Sequence, residues 1–365
     1  MSIVKRCTQY CLALFFRLRG YSSYMSQSMV RYLYDDIVKN TTTTFSQKLW
    51  AYKRGFFSDK IEYYGLTDEN YIDYISDFDY MKLHPINGKY SRWIDDKLTT
   101  YYILSPFREY LPRYFYQIMD GGNIVKLPDC PKDLPSEVRG IITLLGSEKN
   151  LALKLVSGSL GVGFYHLSLD EDGYHVDGVP TSEEALADFL NSLRDYLVTE
   201  YIISHPYIRK YYSGAPNTAR VAVINTDGLT PIVLNAFIRF GTSQTGSVDN
   251  VAMGGILCTV DVKTGKFSKP LRKQNQRLVE LRTHPDSGEI LEGVLPNWEI
   301  IKSKLIEMSQ YTPQLKYQGF DVVVTEDSFK ILEINSHQDL IGYQSYYPLL
   351  ADELSSGYFK LLLKK

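Results

Sequence analysis

The chain of 365 residues carries 40 lysines and arginines against 42 aspartates and glutamates, a formal charge of -2, so no global basic field argues for a nucleic-acid partner. Its length suits two or three closely packed units with a substantial core, and 44% hydrophobic residues argue against disorder. Cys7, Cys11, Cys130 and Cys258 are too few and too scattered for a disulfide framework or a metal spacing, which fits a reducing, cytoplasmic setting.

The first apolar run, CLALFF at 11–16, falls short of the roughly 20 residues a spanning helix needs. It follows Lys5 and Arg6, but Arg17 and Arg19 end it and no A-x-A site follows, so the expectation is an amphipathic helix packed on the body. Attachment to the inner face of a membrane is the alternative. Residues 1–95 read as a helical region, with apolar residues at three- and four-residue spacing in SQSMVRYLYDDIVKN and ENYIDYISDF. The 30 tyrosines concentrate before residue 120, where their apolar bodies and polar tips suit helix packing or stacking on sugar rings.

From residue 96 strands and helices alternate. Asp96 and Lys97 open a predicted helix, and Pro112 precedes a strand. NLALKLVSGSLGVGFYHLSLD reads as strand, glycine-rich turn, strand. Thr181 to Glu184 predict a capping box for a helix with Leu186, Phe189, Leu190 and Leu193 on one face. YLVTEYI at 196–202 follows as an edge-like strand. RVAVINT and PIVLNAFIRF flank a turn at Asp227-Gly228, and GGILCTVDV closes at Lys263-Thr264-Gly265. A helix over 297–310 aligns Trp298, Ile301, Leu305 and Met308. The last hairpin runs from FDVVVT into KILEIN. The pattern is α+β, with antiparallel sheets covered by helices.

Three constellations carry chemistry. In KILEINSH, strict alternation puts Ile331, Glu333 and Asn335 on one face, and an odd-length turn would set Asp321 opposite Glu333. Opposed carboxylates beside an amide make sense around a cation such as Mg²⁺; the plainer alternative is a wet strand face with Asp321 bonded to backbone. Lys154 lies inside an apolar strand just before Ser157, Gly158, Ser159, Gly161 and Gly163, a turn whose N–H groups suit phosphate, although an ordinary flexible hairpin also explains it. Thr218, Arg220, Asp249 and Asn250 form a third group, suited to phosphate or carboxylate contact or to a plain salt bridge.

The order of these pieces resembles the ATP-grasp superfamily over about residues 95–345. APNTARVAVI, SVDNVAMGGILCTVDVKTG and GFDVVVTEDSFKILEINSHQDL, with HPINGKYSRWIDDK in the helical front, are similar to the sugar-transfer-associated subgroup of bacterial surface-polysaccharide clusters. The resemblance implies ATP held between two α+β lobes, 96–200 and 201–365. Lys97 and Lys154 would then reach the phosphates, beneath the loop from Ser157 to Gly163. Glu200, Tyr201 and Ile202, with His205, would meet adenine and ribose. Asp321, Glu333 and Asn335 would hold Mg²⁺, while Arg220 and Asn250 hold the transferred phosphoryl group or a carboxylate. His337, Gln338 and Gln344 lie where an acceptor would be read. The implied reaction is an ATP- and Mg²⁺-dependent ligation of a carboxylate, such as a uronic acid, to an amine. A sugar or lipid-sugar kinase and a non-catalytic nucleotide-binding scaffold are the alternatives.

Overall fold

The computed structural model describes residues 3–158, 161–275 and 277–363. Seven α-helices precede the first strand: α1 (Ile3–Leu18), α2 (Ser23–Val38), α3 (Phe45–Lys53), α4 (Lys60–Tyr63), α5 (Asp77–Lys82), α6 (Arg92–Asp95) and α7 (Lys97–Ile103). Ser22, Thr44, Ser76 and Asp96 each cap the following helix by accepting a backbone N–H, which fixes where these helices begin.

ENYIDYISDF forms no continuous helix. Only a 3-10 turn, Tyr71–Asp73, precedes α5: Tyr74 and Ser76 are extended, and Ile75 between them is pinned at both backbone groups by Gln344. Tertiary contact overrides the helical spacing. CLALFF is helical within α1 and packs through Phe16 and Ala13 on a cluster with Met25, Met29 and Phe57, while Leu12, Leu14, Phe15 and Leu18 are exposed, so the body covers only one narrow side of α1.

The first sheet contains β1 (Tyr114–Ile118), β2 (Ile124–Lys126), β3 (Asn150–Leu155), β4 (Tyr165–Asp170), β5 (Gly173–Val176), β6 (Val179–Thr181) and β7 (Tyr196–Glu200), in the order β2-β1-β7-β3-β4-β5-β6. Helices α8 (Val138–Glu148) and α9 (Glu183–Ser192) cover one face with Ile141, Leu144, Leu186 and Leu190, packed on Leu151, Leu153 and Val198. Burying each such side chain contributes about 1.5–3 kcal/mol. The strand expected at an edge, β7, is central, and its first four residues are buried. Ser182, which accepts from Ala185 N at 3.1 Å, caps α9 in place of the expected Thr181–Glu184 box.

After the short α10 (Pro206–Arg209) the second sheet is built from β8 (Thr218–Ile224), β9 (Ile232–Phe240), β10 (Ile256–Val260), β11 (Lys266–Gln274), β12 (Arg277–Glu280), β13 (Gly293–Val294), β14 (Tyr317–Val324) and β15 (Phe329–Asn335). Its order is β12-β11-β10-β9-β8-β14-β15, with β13 on β11, and every pairing in both sheets is antiparallel. Helix α11 (Trp298–Tyr311) buries Trp298, Ile301, Leu305 and Met308 beneath it, as its spacing predicts. Tyr101, Leu104 and Phe107, on and just after α7, join the same core. The closing helices α12 (Ile341–Gln344) and α13 (Glu353–Leu363) return to the front, where Tyr358 and Phe359 cluster with Ile75 and Tyr80.

Candidate active site

The β14–β15 hairpin sets Asp321 opposite Glu333, but not through an odd-length turn. Val324 pairs with Phe329, so Thr325 to Ser328 form an even connection that would bring Leu332 opposite Asp321. A bulge between the Val322–Ile331 and Asp321–Glu333 pairs absorbs Leu332 and restores the carboxylate pair. It also corrects the face assignment: Ile331 joins Ile334 in the core, while Glu333 and Asn335 turn the other way.

Asp321 is 3% exposed and is gripped from the neighbouring strands. Arg220, its cross-strand partner on β8, donates through both Nε and Nη2, the latter at 2.8 Å, and Arg239 on β9 donates at 3.0 Å. Burial pushes the Asp321 carboxyl up, but Arg220 and then Arg239 outweigh it and hold the group far below the usual carboxylate range. Arg239 also bonds to Thr218 and lies 3.6 Å from Asp249, which accepts from Thr218 N at 2.7 Å. Of the third sequence constellation, Thr218 meets Asp249, whereas Arg220 is engaged by Asp321. Asn250 departs from expectation, since its Oδ1 accepts from Ala252 N at 2.9 Å and caps the turn that follows.

From the other side, α7 delivers Lys97. Its Nζ donates to the Gly158 carbonyl at 2.7 Å and stands 3.5 Å from Glu333. Ser157 reaches the cap residue Asp96 at 3.3 Å, so the glycine loop, α7 and the β15 carboxylate meet in one place. Gly163 requires glycine: its φ is +71°, and a Cβ would lie 2.7 Å from the Tyr196 hydroxyl. Ser159 lies outside the described residues. Lys154 makes no ion pair among the described residues, its ammonium standing 5.2 Å from the Tyr114 ring centroid. Burial, with repulsion from Lys97 and against attraction to Glu333, brings its pKa down to about 7.

The expected hinge residues divide. Glu200 is tied to Arg113 N at 3.0 Å and lies 3.9 Å from Lys330, a contact that links the two sheets. Tyr201 stacks on His166 with ring centroids 3.8 Å apart, and Tyr201 and Ile202 line a cavity of about 460 Å³. His205 accepts from Tyr207 N at 3.0 Å as the cap of α10. Gln344 is fully occupied by Ile75. The sequence reading missed Arg239, and named Asp96 only as the start of a helix. The signal for Arg239 was an arginine alternating with apolar residues in PIVLNAFIRF, the pattern that drew attention to Arg220.

Lys97, Lys154, Arg220 and Arg239 therefore gather around Asp321, Glu333 and Asn335, the arginines from the same sheet as the acids and the lysines from α7 and β3, with half-buried Lys154 lacking an ionic partner among the described residues. Such a site suits a polyanion. Glu333 and Asn335 offer oxygen donors only, as a hard divalent cation requires, whereas both Asp321 oxygens are engaged by arginines.

The sequence model of the sugar-transfer associated ATP-grasp family matches residues 82–350, most of the chain. The chain belongs to this family. Among solved structures, the sugar-transfer associated ATP-grasp chain is similar to the ATP-grasp ligase PsnB complexed with minimal precursor, with 12% identity over 76% of this chain and 64% of that one, at a TM-score of 0.39. D-alanyl-alanine synthetase A from Vibrio cholerae O1 biovar eltor gives 10% identity over 74% and 65%, at 0.43. Biotin carboxylase from Campylobacter jejuni gives 10% over 75% and 47%, at 0.40. The chain spans less than two thirds of the length of each of these structures. A search of curated proteins gives no match.

Proposed function

We propose that the protein is an ATP-dependent ligase that joins a carboxylate to an amine, acting on a uronic acid or related carboxylate in surface-polysaccharide assembly. The observation that carries the reading is the meeting of Lys97, the Gly158 carbonyl and Glu333, with Lys154 and Arg220 close by. A carboxylate resists attack by an amine because oxide leaves poorly. Transfer of the γ-phosphoryl group of ATP to a carboxylate oxygen gives an acyl phosphate and ADP. The amine nitrogen then bonds to the acyl carbon, the C–O bond to phosphate breaks, and the nitrogen gives up a proton.

Such chemistry asks the protein for position and charge rather than for a nucleophile. Lys97 and Lys154 hold phosphate oxygens, the Ser157–Gly163 loop covers them, and Tyr201 and Ile202 flank the base. Glu333 and Asn335 would hold Mg²⁺, which when bound neutralises charge on the phosphates. Asp321 keeps Arg220 and Arg239 aligned toward the acceptor carboxylate. Lobes at 96–200 and 201–365, behind a helical front at 1–95, belong to the same reading.

Incubation of the full chain with ATP, Mg²⁺, uronic acids and amines is expected to yield ADP, phosphate and an amide in equal amounts. A phosphorylated sugar as the stable product would replace the ligase by a kinase, and ATP binding without turnover would replace it by a scaffold.

The reading includes a cytoplasmic location, with α1 resting on an anionic membrane surface. No helix of the described residues is long and apolar enough to cross a membrane. Residues 1–34 contain Lys5, Arg6, Arg17, Arg19 and Arg31 and no acidic residue, while Leu14, Phe15 and Leu18 are exposed on α1. Vesicles rich in phosphatidylglycerol are expected to sediment the protein and phosphatidylcholine vesicles to leave it in solution; equal partitioning would remove the assignment.

A further inference from the structure

A second cavity, of about 510 Å³, lies between the helical front and the chain leaving β15, and five aspartates line it against three lysines. Two of those lysines are committed. Lys39 pairs with Asp35 at 2.7 Å, and the buried Lys60 stands 2.9 Å from Asp59 and 3.8 Å from Asp77. Asp77 is nevertheless pushed up to about 6, first by burial, with Lys60 opposing the rise and Asp59 adding to it. A cation entering this recess would relieve the surplus negative charge.

Unpaired groups in the wall point the same way. Gln338 is 2% exposed; its Oε1 accepts from the Tyr343 hydroxyl at 2.6 Å, while its buried Nε2 has no partner among the described residues. The neighbouring His337 has a buried Nδ1 without a partner. A buried polar atom left unsatisfied is costly, and a ligand hydroxyl would satisfy it. The buried Tyr80 ring stacks on His337 at 4.3 Å and its hydroxyl donates to the Gln338 carbonyl at 2.7 Å, which holds both residues in the cavity wall.

The cavity adjoins the candidate active site. The Gln338 amide covers Gly319 so closely that a Cβ there would fall 2.1 Å from Gln338 Cδ. Gly319 and Asp321 are two residues apart on β14 and share a face, so the wall of the cavity continues into the arginine–carboxylate cluster.

We propose that this cavity binds the amine substrate as an amino sugar, its ammonium group held by Asp59, Asp77 and Asp339 and its hydroxyls by Gln338 Nε2 and His337 Nδ1. The assignment rests on the ligase reading for its purpose, but its chemistry can be tested separately. Glucosamine and galactosamine are titrated into the full chain without nucleotide, with N-acetylglucosamine and glucuronate as controls and ATP binding measured in parallel. At least one free amino sugar is expected to bind, and the acetylated sugar to bind at least about tenfold more weakly, because acetylation removes the charge. Asp339→Asn, at an exposed position, is expected to weaken the amino sugar at least about threefold with ATP affinity and melting temperature unchanged, and Asp59→Asn to weaken it as much with ATP affinity unchanged but a lowered melting temperature, because Asp59 also pairs with buried Lys60. ATP binding without amino-sugar binding, equal affinity for the acetylated sugar, preference for glucuronate, or insensitivity to both substitutions would overturn the assignment. Amino-sugar binding with the expected aspartate dependence, but no amide product on turnover, would retain this site and remove the ligase reading.

Discussion

Asp321 shows how one residue serves both fold and site. Two guanidinium groups converge on a carboxylate that burial alone would neutralise, so removing it strips Arg220 and Arg239 of their shared buried partner and leaves only the more distant Glu333 and Asp249. Asp321→Ala is expected to cost about 3–5 kcal/mol in urea unfolding, the penalty typical of a broken buried pair. Lys154 gives a prediction of opposite character. With its folded pKa brought to about 7 from an ordinary 10.5, it is mostly neutral at pH 8 until phosphates arrive and favour the ammonium form. Nucleotide binding at pH 8 should therefore take up close to one proton, measured by calorimetry in two buffers of different ionisation heat, and Lys154→Met should abolish the uptake. Between pH 7 and 10.5 the unfolded chain holds this proton and the ligand-free folded chain does not, so its contribution to stability rises with pH across that window and is level below it. Both residues were legible in the sequence, because a charge inside an apolar strand demands a partner. Arg239 was passed over although it satisfies the same criterion, and Asn250 stood out through its neighbours while its own amide serves a turn.

Among the elements, α7 matters beyond its seven residues. Asp96 accepts from Thr99 N at 2.6 Å to begin the helix and receives the Ser157 hydroxyl, so one carboxylate orients both Lys97 and the glycine loop. Asp96→Ala should cost about 1 kcal/mol of stability and weaken ATP binding, whereas Asp96→Ser, which restores a cap, should recover most of the stability. Thermal melts and equilibrium ATP titrations separate the two effects. Strand and helix order was readable here because alternation changes to three- and four-residue spacing at clear turn residues. The β15 bulge was not, since KILEIN contains neither glycine nor proline to mark it and the register depends on pairing with β14. The segment before α5 was misread for a similar reason: Gln344, distant in sequence, binds both backbone groups of Ile75.

Over the whole molecule, the two antiparallel sheets are tied by Lys330 to Glu200, and α7 is tied to β15 by Lys97 to Glu333. The helical front closes a separate acidic cavity against the end of β15, so the hairpin carrying Glu333 lies between a recess suited to polyanions and one suited to cations. No stretch of sequence announces that cavity. Its aspartates come from α2, the turn before α4, α5 and the segment after β15, and only folding brings them together. The central claim is that Glu333 and Asn335 receive a divalent cation beside nucleotide phosphates held by Lys97 and Lys154. Equilibrium ATP binding with and without Mg²⁺, for the natural chain and for Glu333→Gln, tests it most directly. Mg²⁺ is expected to tighten ATP binding by about tenfold or more in the natural chain, and to have little effect in a Glu333→Gln protein of unchanged melting temperature. An undiminished Mg²⁺ effect in Glu333→Gln would contradict the account.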